Sequence, residues 1–388
     1  MPSNPKIRAL TVFIRLDRAR YDGQIADALS FLRRAEAAFE KSGYEVQTIR
    51  ITTQSFLDYT RDLQPDDALG FLLKHDALAV KEGFDAAIGP AMIRDSDDPR
   101  EAEFLARILS KGETLEGTIF IADEGGIRWN SIRAAAKLVK YLELNSPGSI
   151  GCFYFMATAF VPSGTPFYPG SYFTGERKEF SLGLESADVV TAALASAKSP
   201  DAAEKALAES LGRCAEELEN AAMQLDRHTG WKYGGIDLTP APLKDVSIGR
   251  AIENFLLAPI GSSGTLAVAA LITRAIRSIR TMRAGYSGLM LPVLEDTVLA
   301  ERWTEGRLSI DSLLSYSSVC GTGLDCIPLP GDITQQQIER IFSDVASLAF
   351  KWRKPLTARL LPVAGKKAGD MTEFDDPFLV NANIQPLP

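Results

Sequence analysis

Apolar and polar positions along the chain follow two alternating periods, and their order predicts an architecture. Short, β-rich apolar runs at residues 7–15, 44–51, 84–89, 117–122, 149–155, 179–184, 234–238, 289–294, 324–329 and 356–363 give ten candidate strands. Segments of helical period separate them, such as the one placing Ile25, Leu29, Leu32, Ala35 and Phe39 on one face. Strand and helix alternate almost without interruption, the pattern of parallel strands linked by crossover helices. A longer helix, from about 201 to 227, aligns Leu207, Leu211, Cys214, Leu218, Ala221 and Leu225 in one stripe. That stripe packs either on the chain's own strands or on a second copy, and the second reading predicts a homo-oligomer, in the simplest case a dimer.

No internal repeat or linker divides the pattern, so residues 1–368 read as one α/β domain. Residues 161–175, VPSGTPFYPGSYFTG, form the most irregular internal stretch and read as a structured loop. Residues 369–388 carry Pro377, Pro386 and Pro388 with little periodicity, and read as an extended tail over the surface.

Composition narrows the function classes. Hydrophobic residues at 46% and charged residues at 24% over 388 positions support a large core rather than a disordered chain. A net charge of −8 repels phosphate backbones and anionic lipid, so nucleic acid and membrane surfaces are not expected partners. The short polar start, Met1 to Lys6, has no signal-peptide pattern, and no apolar run reaches the ~20 residues that span a bilayer. A cytoplasmic protein acting on a small molecule is the resulting expectation. Four cysteines are too few for a disulfide framework, and two histidines, His75 and His228, exclude a three-histidine zinc site.

Candidate chemistry was sought at the carboxyl ends of the strands, where barrels of parallel strands collect their functional groups. Asp17, Asp123, Glu124, Glu185, Asp237, Glu295 and Asp296 stand there. They form either a cation site or an acid and base pair, or else they cap the helices that follow. Two loops offer more than caps. Asp123-Glu124-Gly125-Gly126, followed by Asn130 and Ser131, combines carboxylates, close backbone approach and a helix N-terminus. Gly261-Ser262-Ser263-Gly264-Thr265 precedes a helix and suits a phosphate or carboxylate, yet lacks the lysine of a P-loop and the spacing of a dinucleotide fingerprint. No GxSxG elbow is present, which argues against a serine hydrolase. No cofactor is specified by these motifs.

The most unusual stretch is VCGTGLDCIPLPGD, residues 319–332, with Cys320 before a Gly-Thr-Gly turn and Cys326 after Asp325. Together with residues 285–302, GYSGLMLPVLEDTVLAER, and with 264–276 and 164–173, it resembles a bacterial and archaeal family of unknown function, domain of unknown function 711. Members of that family are similar in fold to pyruvate formate-lyase and other glycyl radical enzymes. The resemblance therefore implies a ten-stranded α/β barrel around a cysteine-bearing loop, and it implies no established activity. A glycyl radical site is not expected: Arg283-Ala284-Gly285-Tyr286 has a superficial likeness to the radical loop but precedes Cys320, and nothing similar lies near Pro388.

The leading expectation is an enzyme of small-molecule metabolism using Cys320, oriented by Asp325, with Glu124, Glu295 and Asp296, and with Gly125, Gly126, Asn130, Ser262, Ser263 and Thr265 binding ligand. The alternatives are a non-catalytic binding or regulatory protein on the same barrel, and a carboxylate-bound divalent-metal hydrolase with silent thiols. Cys152 and Cys214 read as core.

Overall fold

The computed structural model describes residues 5–387, so most of the polar N-terminal stretch lies outside the described residues. Ten strands form one sheet: β1 (Lys6–Ile14), β2 (Ile49–Thr53), β3 (Asp85–Ala91), β4 (Leu115–Asp123), β5 (Gly126–Ile127), β6 (Phe155–Ala159), β7 (Glu179–Glu185), β8 (Lys232–Ala241), β9 (Gly323–Pro330) and β10 (Leu356–Val363). Their order is β8-β7-β1-β2-β3-β4-β6-β10-β9, with the two-residue β5 folded back on β4.

The sheet is mixed, which corrects the expectation of parallel strands throughout. Strands β1, β2, β3, β4 and β6 run together, as do β7 with β8 and β9 with β10, but the seams β1/β7 and β6/β10 are antiparallel. Eight of the ten apolar runs fall on strands, several with shifted ends. Run 289–294 is not a ladder strand. Its stretch of chain lies between the outer strands, with parallel bridges Ile236↔Arg283 on β8 and Pro292↔Asp325 on β9. Pro292 has no N–H to extend the pairing. Residues 149–155 were also read as strand, yet Pro147–Tyr154 is a 3-10 helix in which Gly148 and Ser149 take positive φ.

Helices cover one face. Phe31, on helix Tyr21–Lys41, stacks on Trp231 at 4.7 Å and tilts against Phe180 of β7 at 5.0 Å, so Phe180 and its register partner Val12 point outward. Helix Pro200–Thr229 buries Leu207, Leu211, Leu218 and Leu225 on helices Ala187–Ala195 and Thr265–Ser278 and on β8. Its stripe is covered within the chain, and Cys214 sits at its half-buried margin. Among the described residues no helix is long and apolar enough to cross a membrane.

Side chains of opposite parity fill the other face, and loop 161–175 packs against them. Thr11 donates to the Pro166 carbonyl at 2.9 Å, the Thr52 hydroxyl meets Tyr168 Oη at 2.9 Å and Ser171 Oγ at 2.8 Å, and Phe13 packs on Phe173. The irregular sequence of this loop reflects its position: it supplies backbone and hydroxyl partners to polar positions inside the sheet. The tail does not simply strap the surface. Phe374, Leu379, Ala382 and Ile384 are buried, and Val380 N–H donates to the Leu294 carbonyl at 2.7 Å.

Candidate functional site

β-strands alternate side chains between two faces, and a charge can enter the interior only where that alternation, or a break in it, turns it inward. Two bulges do so here. Between Ile7 and Ala9, β1 gains one residue against β7, and the extra residue is Arg8. Between Leu324 and Ile327, β9 gains one against β10, with Cys326 at φ 50°. Asp325 and Cys326 thereby approach Glu295, while Arg359 comes from β10.

These groups surround a cavity of about 290 Å³. At its centre Arg359 is paired with two carboxylates, donating from Nη2 to Glu295 Oε1 at 2.5 Å and from Nε to Asp325 Oδ1 at 2.6 Å. Arg8 approaches the other Glu295 oxygen at 3.4 Å and Glu185 at 3.5 Å. Each guanidinium lies on a ring, Arg359 over Phe153 at 4.6 Å and Arg8 over Phe378 of the tail at 4.7 Å. Burial alone would raise the Glu295 carboxyl, but Arg359 and Arg8 hold it below the ordinary range, so it is ionised. Burial raises Asp325, against the pull of Arg359, and the Glu295 charge adds to the rise. The Cys326 thiol donates to Glu295 Oε1 at 3.3 Å, and burial pushes its pKa well up, so the thiol keeps its proton.

The opposite wall is less satisfied. Arg50, only 8% exposed, donates one side-chain hydrogen bond, from Nε to Thr48 at 2.9 Å, and lies 3.4 Å from Asp85. Its plane rests on Tyr168 at 4.7 Å. Glu116 lines the cavity from β4, and its buried Oε2 has no hydrogen-bond partner. Burial drives the Glu116 carboxyl well above the ordinary range, with Arg50 opposing and Asp85 reinforcing the shift, so its surroundings favour the protonated form. Asp376, Pro377 and Phe378 form part of the wall from the tail.

Of the residues singled out from sequence, the structure brings Glu295 and Asp325 together in this cavity and places the rest elsewhere. Asp296 turns away and caps two helices at once, accepting from Val298 and Leu299 N–H at 2.9 and 3.0 Å and from Ile248 and Gly249 N–H at 2.7 and 3.1 Å. Glu124 is exposed and pairs with Arg353 at 2.7 Å. Gly125 N–H donates to Asp123, Gly126 opens β5, and Asn130 is an exposed donor to the Asp95 carbonyl at 3.0 Å. Ser262 and Thr265 close their own turn, Gly261 N–H donating to Thr265 Oγ1 at 3.1 Å, and Ser263 is exposed beside it. Cys320 is buried outside the cavity lining, its carbonyl accepting from Lys354. The Gly-Thr-Gly turn after it has a packing cause: a Cβ on Gly321 would stand 2.7 Å from the Gly288 backbone. Among the described residues no three His, Cys, Asp or Glu side chains are grouped to hold a metal.

Arg8, Arg50, Asp85, Glu116 and Arg359 were not singled out from the sequence. A signal existed: each is a charge inside or at the start of an otherwise apolar strand, as in KIRALTVFI, IRITT and LTARLLPV.

Comparison with known proteins places the chain. The family described as Uncharacterised ACR (DUF711) matches residues 2–375. A UPF0210 protein of Pyrobaculum arsenaticum is 29% identical over 360 residues, covering 88% of this chain and 78% of its own. One from Bifidobacterium animalis subsp. lactis is 31% identical over 319 residues, covering 77% and 70%. Among solved structures, the anaerobic ribonucleotide reductase of Thermotoga maritima in complex with dATP and CTP aligns over 91% of this chain and 75% of its own, with 8% identity and a TM-score of 0.42. With the family description spanning nearly all of its length and relatives aligned along most of it, the chain belongs to the uncharacterised DUF711 family, the UPF0210 proteins.

Proposed function

We propose that the protein is an enzyme of small-molecule metabolism that moves protons on a ligand held in the interior cavity. One observation carries this reading: Glu116 is a carboxyl on the cavity wall whose protonated form burial favours, and its buried Oε2 has no hydrogen-bond partner. Across the same space Glu295 is kept ionised by two guanidiniums. Two carboxyls whose surroundings drive their pKa values apart are the arrangement acid–base catalysis uses. Glu116 is the proton donor, Glu295 and Asp325 hold Arg359 in place, and Cys326 serves through its hydrogen bond to Glu295 rather than as a thiolate. Cys320 stays a reserve candidate for a thiol step. The fold reading that accompanies this is a closed barrel of the pyruvate formate-lyase kind, supported by the bridges of residues 283 and 292 to the two outer strands.

The test is to incubate the purified protein with small-metabolite extracts and follow gains and losses by mass spectrometry. Glu116→Gln, which keeps shape but carries no exchangeable carboxyl proton, is expected to lower turnover by about 100-fold or more, while Cys320→Ala leaves it unchanged. Turnover by Glu116→Gln equal to that of the parent protein would sink the acid–base reading.

The second reading is a non-catalytic binding protein. The Arg359–Glu295–Asp325 cluster favours it, since a paired cluster is also what a purely structural strut would show.

A further inference from the structure

The cavity holds three guanidiniums, and among the described residues Arg50 alone of them has neither terminal nitrogen in a hydrogen bond. Arg359 is committed to Glu295 and Asp325, and Arg8 faces Gln47, Glu185 and Glu295 at 3.4 to 3.5 Å. Arg50 is different: its terminal nitrogens donate to nothing, and Tyr168 fixes the plane in which they lie. A planar fork with free N–H groups is the shape that receives a carboxylate in two hydrogen bonds.

Glu116 presents the complementary half. Arg50 on β2 and Glu116 on β4 flank β3, where Arg50 pairs in register with Asp85 and Glu116 with Ala87. Two strand spacings, roughly 10 Å between backbones, separate them. They attract one another without forming an ion pair. A carboxyl and a guanidinium thus line one space, each short of a partner.

We propose that the cavity takes a small zwitterion, its carboxylate on the Arg50 fork and its basic nitrogen on Glu116. This rests on the reading of the cavity as the ligand site and adds the chemical class. A simple carboxylate would satisfy Arg50 but leave the Glu116 oxygen without a partner. A simple amine would satisfy Glu116 and leave the guanidinium bare. A molecule with both ends serves both groups, its carboxylate set against the guanidinium and its ammonium against the carboxylate that Glu116 becomes, so that each charge it brings meets an opposite one. A volume of about 290 Å³ sits at the lower end of ligand pockets, so the class is a small amino acid rather than a nucleotide. Proton balance follows. The ligand enters as carboxylate and ammonium, Glu116 gives its proton to solvent, and the new carboxylate holds the ammonium, so binding releases one proton.

The experiment is calorimetric titration of the full chain with alanine, β-alanine, 4-aminobutyrate and 6-aminohexanoate, with butyrate and butylamine as single-ended controls. Each titration is run in two buffers of different ionisation enthalpy. At least one zwitterion should bind ten-fold or more tighter than both controls, with a heat that depends on the buffer. Arg50→Gln should weaken it at least ten-fold, and Glu116→Gln should abolish the buffer dependence. Butyrate binding as tightly as the amino acids overturns the zwitterion while leaving the cavity a ligand site. No binding by any probe overturns it too, and the acid–base reading then stands or falls separately on the turnover of Glu116→Gln. If either variant fails to fold, the probe series and buffer dependence on the parent protein decide.

Discussion

Arg359 concentrates the electrostatics of the interior on one side chain. Its guanidinium neutralises Glu295 and Asp325, and all three are at most 5% exposed. Removing it leaves Asp325 without its guanidinium and Glu295 with only the more distant Arg8, a far larger penalty than the net worth of the pairs themselves. Arg359→Met is therefore expected to cost about 3–5 kcal/mol in urea unfolding. The triple replacement with Glu295→Gln and Asp325→Asn should recover much of that loss. A single variant within about 1 kcal/mol of the parent protein would show that the cluster is solvated after all.

At the scale of the elements, bulges decide which side chains reach the cavity, and they also limit what the sequence discloses. Apolar runs locate eight of the ten strands, because runs bounded by turn residues survive a one-residue insertion. They do not locate Arg8 or Cys326, since an extra residue reverses the facing of everything beyond it and leaves no mark in composition. Glu295 and Asp325 were legible as acidic residues beside apolar runs. Asp296, adjacent to Glu295 in sequence, belongs to a different structural task, and nothing in the letters separates the two. The charges of β1, β2, β4 and β10 were readable as anomalies, for an arginine amid buried apolar neighbours demands a buried partner. Asp296 gives the element-scale prediction. Because one carboxylate serves the starts of helices Ile248–Leu256 and Thr297–Thr304, Asp296→Ala should cost about 2–4 kcal/mol by denaturant unfolding, and Asp296→Asn less. A loss below about 1 kcal/mol would contradict the double cap.

Over the whole molecule, acid stability is set by groups the fold keeps uncharged as well as by its ion pairs. His75 is buried, accepts or shares a proton with Tyr21 Oη through Nδ1 at 2.8 Å, and has no partner at Nε2. Burial lowers its pKa from 6.5 to about 4, and Asp76 only partly opposes this. Between those values the unfolded chain binds a proton that the folded protein refuses. Its contribution is thus complete above pH 6.5 and is lost as pH falls toward 4. Glu295 acts in the same sense at lower pH, its stabilisation disappearing as pH falls through its depressed value. Glu116 acts oppositely, favouring the fold at low pH and giving this up as pH rises toward its raised value. The histidine is isolated by comparison with His75→Gln: from pH 7 to 4.5 the parent protein should lose about 2–3 kcal/mol more than the variant. Parallel pH profiles would refute the assignment.

The tail wall has a consequence for biosynthesis. Because one side of the cavity is Arg8 and another is Phe378 resting on it, the cavity is assembled from segments 370 positions apart. A nascent polypeptide can fold much of its sheet on the ribosome, yet it has no finished chamber until Phe378 has emerged. A chain that stops before Phe378 therefore lacks one wall of the cavity and the ring on which Arg8 rests.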